Sequence, residues 1–200
     1  LLELMQTRFR RADFEWARAL AAALLAHFED GGRGGFFFTS HDHEPLFHRT
    51  KPGPDGATPS GNGVAARALI AFGHLAGDLA SLQAAERTLR LFGPALAESP
   101  AHHASLVLAR EELAAPPTLV LLRGEPATCA AWQRSLEAVY RPEVRVFDLS
   151  GAGDLPPVLV KAPAPATGAV ASVCRGTTCL PPVASLPDLL AAVTASPCPT

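Results

Sequence analysis

The sequence predicts a mainly α fold, in which part of a larger α/α array is followed by a small α/β annex. Three observations predict it. Two segments, residues 19–26 and 64–76, are apolar on nearly every side, and a helix that is apolar all round is buried all round. The second of them precedes an amphipathic helix, residues 79–92, so inner and outer helical layers alternate. After Ala114, Ala115, Pro116 and Pro117 the pattern changes to strand, helix, strand, which favours parallel strands with a right-handed crossover. The domains expected are therefore residues 1–113, helical, and 114–200, the annex.

Each element has its own signal. Residues 1–28 contain no Gly or Pro and are rich in Ala and Leu, which predicts one long helix. Asp30, Gly31 and Gly32 stop it. Residues 36–39 and 45–49 read as a short hairpin inside a Gly-, Pro- and His-rich connection. Ser60 or Asn62 can cap the helix that starts near Val64, and Gly77 ends it. Residues 82, 85, 89 and 92 (Leu82, Ala85, Leu89, Phe92) form the apolar face of the next helix. Ser99 as cap and Pro100 as first residue open a fourth, running to about Leu113. In the annex, residues 118–122, 144–149, 158–161 and 169–174 read as strands, and 128–140 and 186–194 as helices.

The chain has 200 residues, with 17 Lys and Arg against 19 Asp and Glu. That near balance gives no basis for broad nucleic-acid binding. Its apolar content of 48% is enough for a core and argues against disorder. Four cysteines are too few for a disulfide scaffold. The apolar run at residues 19–26 is too short to span a bilayer, and residues 1–11 lack a signal-peptide pattern. A cytoplasmic protein without nucleic-acid or membrane partners is expected. Four helices cannot enclose an inner layer, and the chain starts with Leu, so it reads as part of a longer protein.

Residues 34–62 concentrate the chemistry: Gly34-Gly35-Phe36-Phe37-Phe38-Thr39, then Asp42-His43-Glu44-Pro45-Leu46-Phe47-His48-Arg49-Thr50-Lys51, then Asp55-Gly56-Ala57-Thr58-Pro59-Ser60-Gly61-Asn62. Arg49 with Asp55 can grip hydroxyl or carboxylate groups. Ser60 and Asn62 sit where a helix start favours anions or oxygen-rich ligands. His43, Glu44 and Asp55 are the candidates for acid-base work, which needs a titratable group in a cleft. Arg49, Lys51, Ser60 and Asn62 are the candidates for ligand binding. His41, His43 and His48 lack a second ligand pair at a familiar spacing, so no metal site is expected. The loop after residue 122 lacks both the G-x-G-x-x-G fingerprint and a P-loop lysine, so no nucleotide cofactor is expected.

With these motifs the sequence resembles the spermatogenesis-associated thioredoxin-domain proteins and their bacterial relatives. The tail Val173-Cys174-Arg175-Gly176-Thr177-Thr178-Cys179-Leu180-Pro181-Pro182 is similar to that family's C-terminal signature. The resemblance covers essentially the whole chain but only the C-terminal third or so of such a protein. It implies a partial six-hairpin α/α barrel related to N-acylglucosamine 2-epimerases and glycosidases, whose mouth would carry Arg49, Asp55, Ser60 and Asn62. It further implies a sugar-like ligand, epimerase-like or glycosidase-like, with the thioredoxin-like domain and the remaining barrel helices as missing partners. The alternative is a non-enzymatic scaffold serving that thioredoxin-like domain.

Blander readings stand beside these. Asp55-Gly56 and Pro59-Ser60-Gly61-Asn62 are good turn formers, and Asn62 can serve only as a cap. Four residues separate Cys174 from Cys179, against two in a thioredoxin-type redox site. Buried free thiols are the first expectation for them; a disulfide or metal pair is the second.

Overall fold

The computed structural model describes residues 1–194; Cys198 lies outside them. The described chain divides into two compact units: Leu1–Glu15 with residues 117–194, and Trp16–Pro116. No helix among the described residues is long and apolar enough to cross a membrane.

The first unit is built on a four-stranded mixed sheet of order β2-β1-β3-β4. Strands β1 (Thr118–Gly124) and β2 (Val144–Asp148) are parallel, joined by a helix, Pro126–Glu137. Strand β3 (Ala169–Arg175) returns antiparallel to β1. Strand β4 (Thr178–Cys179) closes a tight hairpin on β3. Residues 158–161 are not a strand: Pro157–Leu159 form one 3₁₀ turn. The amides of Leu159, Val160 and Lys161 bond the carbonyls of Pro156, Pro157 and Leu159 instead of a neighbouring strand. β1 is buried on both faces. Val120, Leu122, Ala171 and Val173 form one face and pack with Cys129, Trp132, Leu136, Leu189 and Val193. Those five side chains come from the crossover helix and the closing helix, Leu186–Thr194.

Residues 1–28 do not form one helix. Helix α1 (Leu2–Thr7) ends at Arg8, whose backbone is extended (φ −153°, ψ 110°), and α2 (Arg11–Phe28) begins three residues later. The break lets Met5, Phe9 and Phe14 all turn inward. Arg10 spans it by binding Asp13 through both carboxylate oxygens, at 2.7 and 2.8 Å.

In the second unit, α3 (Gly61–Ala76) is central, with ten buried residues. α4 (Leu79–Glu98) and α5 (Ala104–Ala114) pack against α3 and each other. Asp78 caps α4 through the Ala80 amide at 3.2 Å. α4 runs on through Pro94, well beyond the residue 92 read from the sequence. Pro100–His103 form a 3₁₀ turn before α5.

The partial six-hairpin α/α barrel is not what this chain forms. Among the described residues there is no ring of helical hairpins. There is a three-helix cluster, the second half of α2, and a mixed sheet with its own helices. The reading failed at α2. Its residues 19–26, apolar on nearly every side, are expected to be buried all round, yet only Ala21 among them is buried. Trp16 and Leu20 are 59% and 50% exposed. Apolar composition shows what a helix could bury, and here nothing in the second unit covers most of it.

Candidate functional site

Residues 28–62 do not pair as the expected hairpin. The only ladder contacts are an isolated bridge between Glu29 and Phe36 and one bond from Phe38 N to Thr50 O, at 2.9 Å. Side chains hold the segment in place instead. Gly34 and Gly35 have φ of +78° and +75°, a region open to glycine. A Cβ on Gly34 would lie 2.5 Å from the Arg87 carbonyl oxygen, so the chain can pass α4 only with hydrogen at that position.

The first polar knot is Asp30 with Lys51. One oxygen of Asp30 accepts the amides of Gly32 and Arg33, at 3.1 and 3.0 Å. The other accepts Lys51 Nζ at 2.7 Å, and Lys51 also donates to Gly34 O at 2.8 Å. The Lys51 ammonium first, and then the Arg33 amide, hold the Asp30 carboxyl down at about 2. Beside it, Arg87 donates to Glu29 from Nε and Nη2, at 3.0 and 2.5 Å.

The second knot is Asn62, in the first turn of α3 and 2% exposed. Its Oδ1 accepts Phe36 N at 2.7 Å; its Nδ2 donates to Phe36 O and Pro52 O, at 3.0 and 2.9 Å. A backbone amide only donates, so the atom facing Phe36 N must be the oxygen, which fixes the amide's orientation. Ser60 Oγ donates to the same Pro52 carbonyl, at 3.0 Å.

Asp55 ties the starts of two helices together. Oδ1 accepts Ser60 N at 2.7 Å and Ser105 Oγ at 2.5 Å; Oδ2 accepts Ser105 N at 2.8 Å. Burial pushes this carboxyl up, but the Ser105 hydroxyl and the Ser60 and Ser105 amides outweigh it, and the net effect is a lowered pKa. The helices meet closely here: a Cβ on Gly63 would lie 2.0 Å from Ser105 Oγ.

Arg49 is also committed. Nη2 donates to Thr39 O at 2.5 Å, Nη1 meets His41 Nδ1 at 3.0 Å, and the guanidinium lies 3.9 Å from the Phe37 ring centre. A guanidinium cannot accept, so His41 Nδ1 is the acceptor and the ring proton sits on Nε2. From there it donates to Glu29 O, at 2.9 Å. His43 reaches only the Glu44 carbonyl, at 3.1 Å. His43, Glu44 and His48 are exposed. No group of three or more His, Cys, Asp or Glu among the described residues is placed to hold a metal ion.

These anchors shape a half-open cavity of about 380 Å³, walled by Leu24, Phe28, Phe36, Phe37 and Phe38, with prolines 52, 54 and 59 opposite. Phe38 stands 75% exposed. Thr58, Ser60 and Asn62 supply its polar side chains. Of the residues singled out in the sequence, Ser60 and Asn62 line this cavity; His43, Glu44, Asp55, Arg49 and Lys51 do not. Leu24, Phe28, Thr58 and the prolines were missed. The run of three phenylalanines was the available signal, and reading it as a strand hid its role as a wall.

Cys174 and Cys179 form a disulfide across the β3–β4 hairpin, in place of the free thiols expected first. Directly opposed residues of an antiparallel pair put both side chains on one face, which the four-residue spacing conceals. Cys129 is free and buried.

No protein-family model matches the chain, and no curated protein sequence matches it significantly. The resemblance therefore rests on the quoted motifs alone.

Proposed function

We propose that this chain is a binding module for a small sugar-like ligand, working in the cytoplasm. The observation that carries the reading is the aromatic-walled cavity of about 380 Å³. A sugar ring has an apolar face that can lie on Phe36, Phe37 or Phe38, while its edge hydroxyls meet Thr58 and nearby backbone groups. Recognition without catalysis is favoured. A glycosidase needs two positioned carboxylates, and Asp55 spends both oxygens on Ser60 and Ser105. Epimerase-like work by His43 or Glu44 would have to come from an exposed loop.

One observation favours the scaffold alternative, in which the chain serves an attached thioredoxin-like domain. Phe47 is fully exposed at the tip of the same segment, next to Leu46, an arrangement suited to a protein partner.

The test is a melting series of the whole chain against neutral and N-acylated sugars, with Phe38→Ala in parallel. Phe38 is exposed, so its loss leaves folding intact. At ten times its Kd a bound sugar adds about 1.4 kcal/mol of stability, which the series reads as a raised Tm. At least one sugar should raise Tm in the parent chain and fail to do so in Phe38→Ala. A panel in which no sugar shifts the parent chain overturns the reading.

A further inference from the structure

Strand β4 is the outer edge of the sheet and only two residues long. Backbone rungs hold it weakly. Thr178 and Cys179 pair with Arg175 and Cys174 around Gly176-Thr177, with Gly176 at φ 57° as a two-residue hairpin requires. Leu180 N donates to Val173 O at 2.8 Å. Val183 then exchanges two bonds with Ala171, at 2.8 and 2.9 Å. Between those rungs Pro181 and Pro182 have no amide hydrogens to donate. The pairing also slips by one residue there, from Cys174 opposite Cys179 to Ala171 opposite Val183.

The disulfide is the covalent part of this edge, and its two ends differ. Cys174 is 5% exposed, while Cys179 is on the surface. The bond joins residues five apart, so it removes little chain entropy. Neither cysteine belongs to the core cluster of Val120, Leu122, Ala171 and Val173. The remaining described thiol does not compete. Burial, and after it Asp148, push Cys129 up to about 11, so it stays protonated inside the core.

We propose that Cys179 is a thiol-exchange site for small thiols, and that opening the Cys174–Cys179 bond frees strand β4 from the sheet edge. An incoming thiol loses its proton, and its sulfur bonds to Cys179 Sγ. The Cys174–Cys179 bond breaks, and Cys174 leaves with the electron pair and takes up a proton. A second molecule of the thiol then attacks the small-molecule sulfur of the mixed disulfide and releases Cys179, which is protonated in turn. The protein disulfide gains two electrons; two thiols become one small disulfide. Attack on Cys179 is selected by access, because its partner sulfur lies inward.

The experiment uses the whole chain in buffers of reduced and oxidised glutathione, quenched by alkylation and read by peptide mass. The glutathione adduct should map to Cys179. In that adduct Cys174 alone should be alkylated, and in the fully reduced chain both cysteines, with Cys129 unlabelled until the protein is denatured. Amide exchange at residues 178–180 and 183 should rise about tenfold on reduction while β1 stays protected. An adduct on Cys174, reduction only on global unfolding, or two free thiols in protein prepared without reductant would each overturn the proposal. Cys174→Ser provides a separate check, since Cys179 is then a free surface thiol. It should take the adduct completely, and resistance there also defeats the proposal.

Discussion

Two stretches of residues 28–62 look alike in composition and behave in opposite ways. Asp30, Lys51, Asp55 and Asn62 are drawn into the protein, and each makes at least two hydrogen bonds to backbone or buried groups. Residues 42–48, with their own Asp, Glu and two His, lie on the surface, and the side chain of His43 bonds the adjoining Glu44 carbonyl. The difference lies in what surrounds each group. The first set sits at turns and helix starts, where backbone amides and carbonyls lack ladder partners and must find others. The second set is exposed, and its Asp42 finds only neighbours at the surface, Ser40 and His27.

The largest expected effect falls on Asp55. Asp55→Ala leaves two helix-start amides and one serine hydroxyl without their acceptor, and a loss of about 3 kcal/mol is expected. Urea denaturation measures it; a loss no larger than that of a surface substitution would erase the contrast between the two stretches. Acid should do part of the same work reversibly. The carboxyls of Asp55 and Asp30 are both lowered in the folded state, so the unfolded chain binds more protons. Their stabilisation is present above the ordinary value of 3.8 and is lost below it, for Asp30 as pH falls through about 2. Urea midpoints should drop across that window, and less steeply in Asp55→Ala. Equal slopes would show that Asp55 carries none of the effect.

Much of the fold was legible where one periodicity dominated. β1, β3, α3 and the closing helix stand close to where their apolar patterns put them. The turn reading of Asp55 and Asn62 does not describe their bonds, which reach Ser105, Phe36 and Pro52, far along the chain. Three things were not legible. The break at Arg8 depends on Phe9 and Phe14 finding a shared core. The three phenylalanines alternate with nothing, so strand and cavity wall share one pattern. The apolar residues 19–26 carry no mark of whether anything in the chain will cover them, and the barrel expectation fell on that point.

Buried side-chain hydrogen bonds of this segment, not its exposed ionisable loop, hold the cavity together. Asn62→Ala tests it most directly, measured by urea denaturation beside the double variant His43→Ala with Glu44→Gln. Asn62→Ala should cost about 2 kcal/mol, through the stranded Phe36 amide and carbonyl, and the double variant less than about 0.5 kcal/mol. Equal costs, or a larger one for the loop variant, would contradict the account.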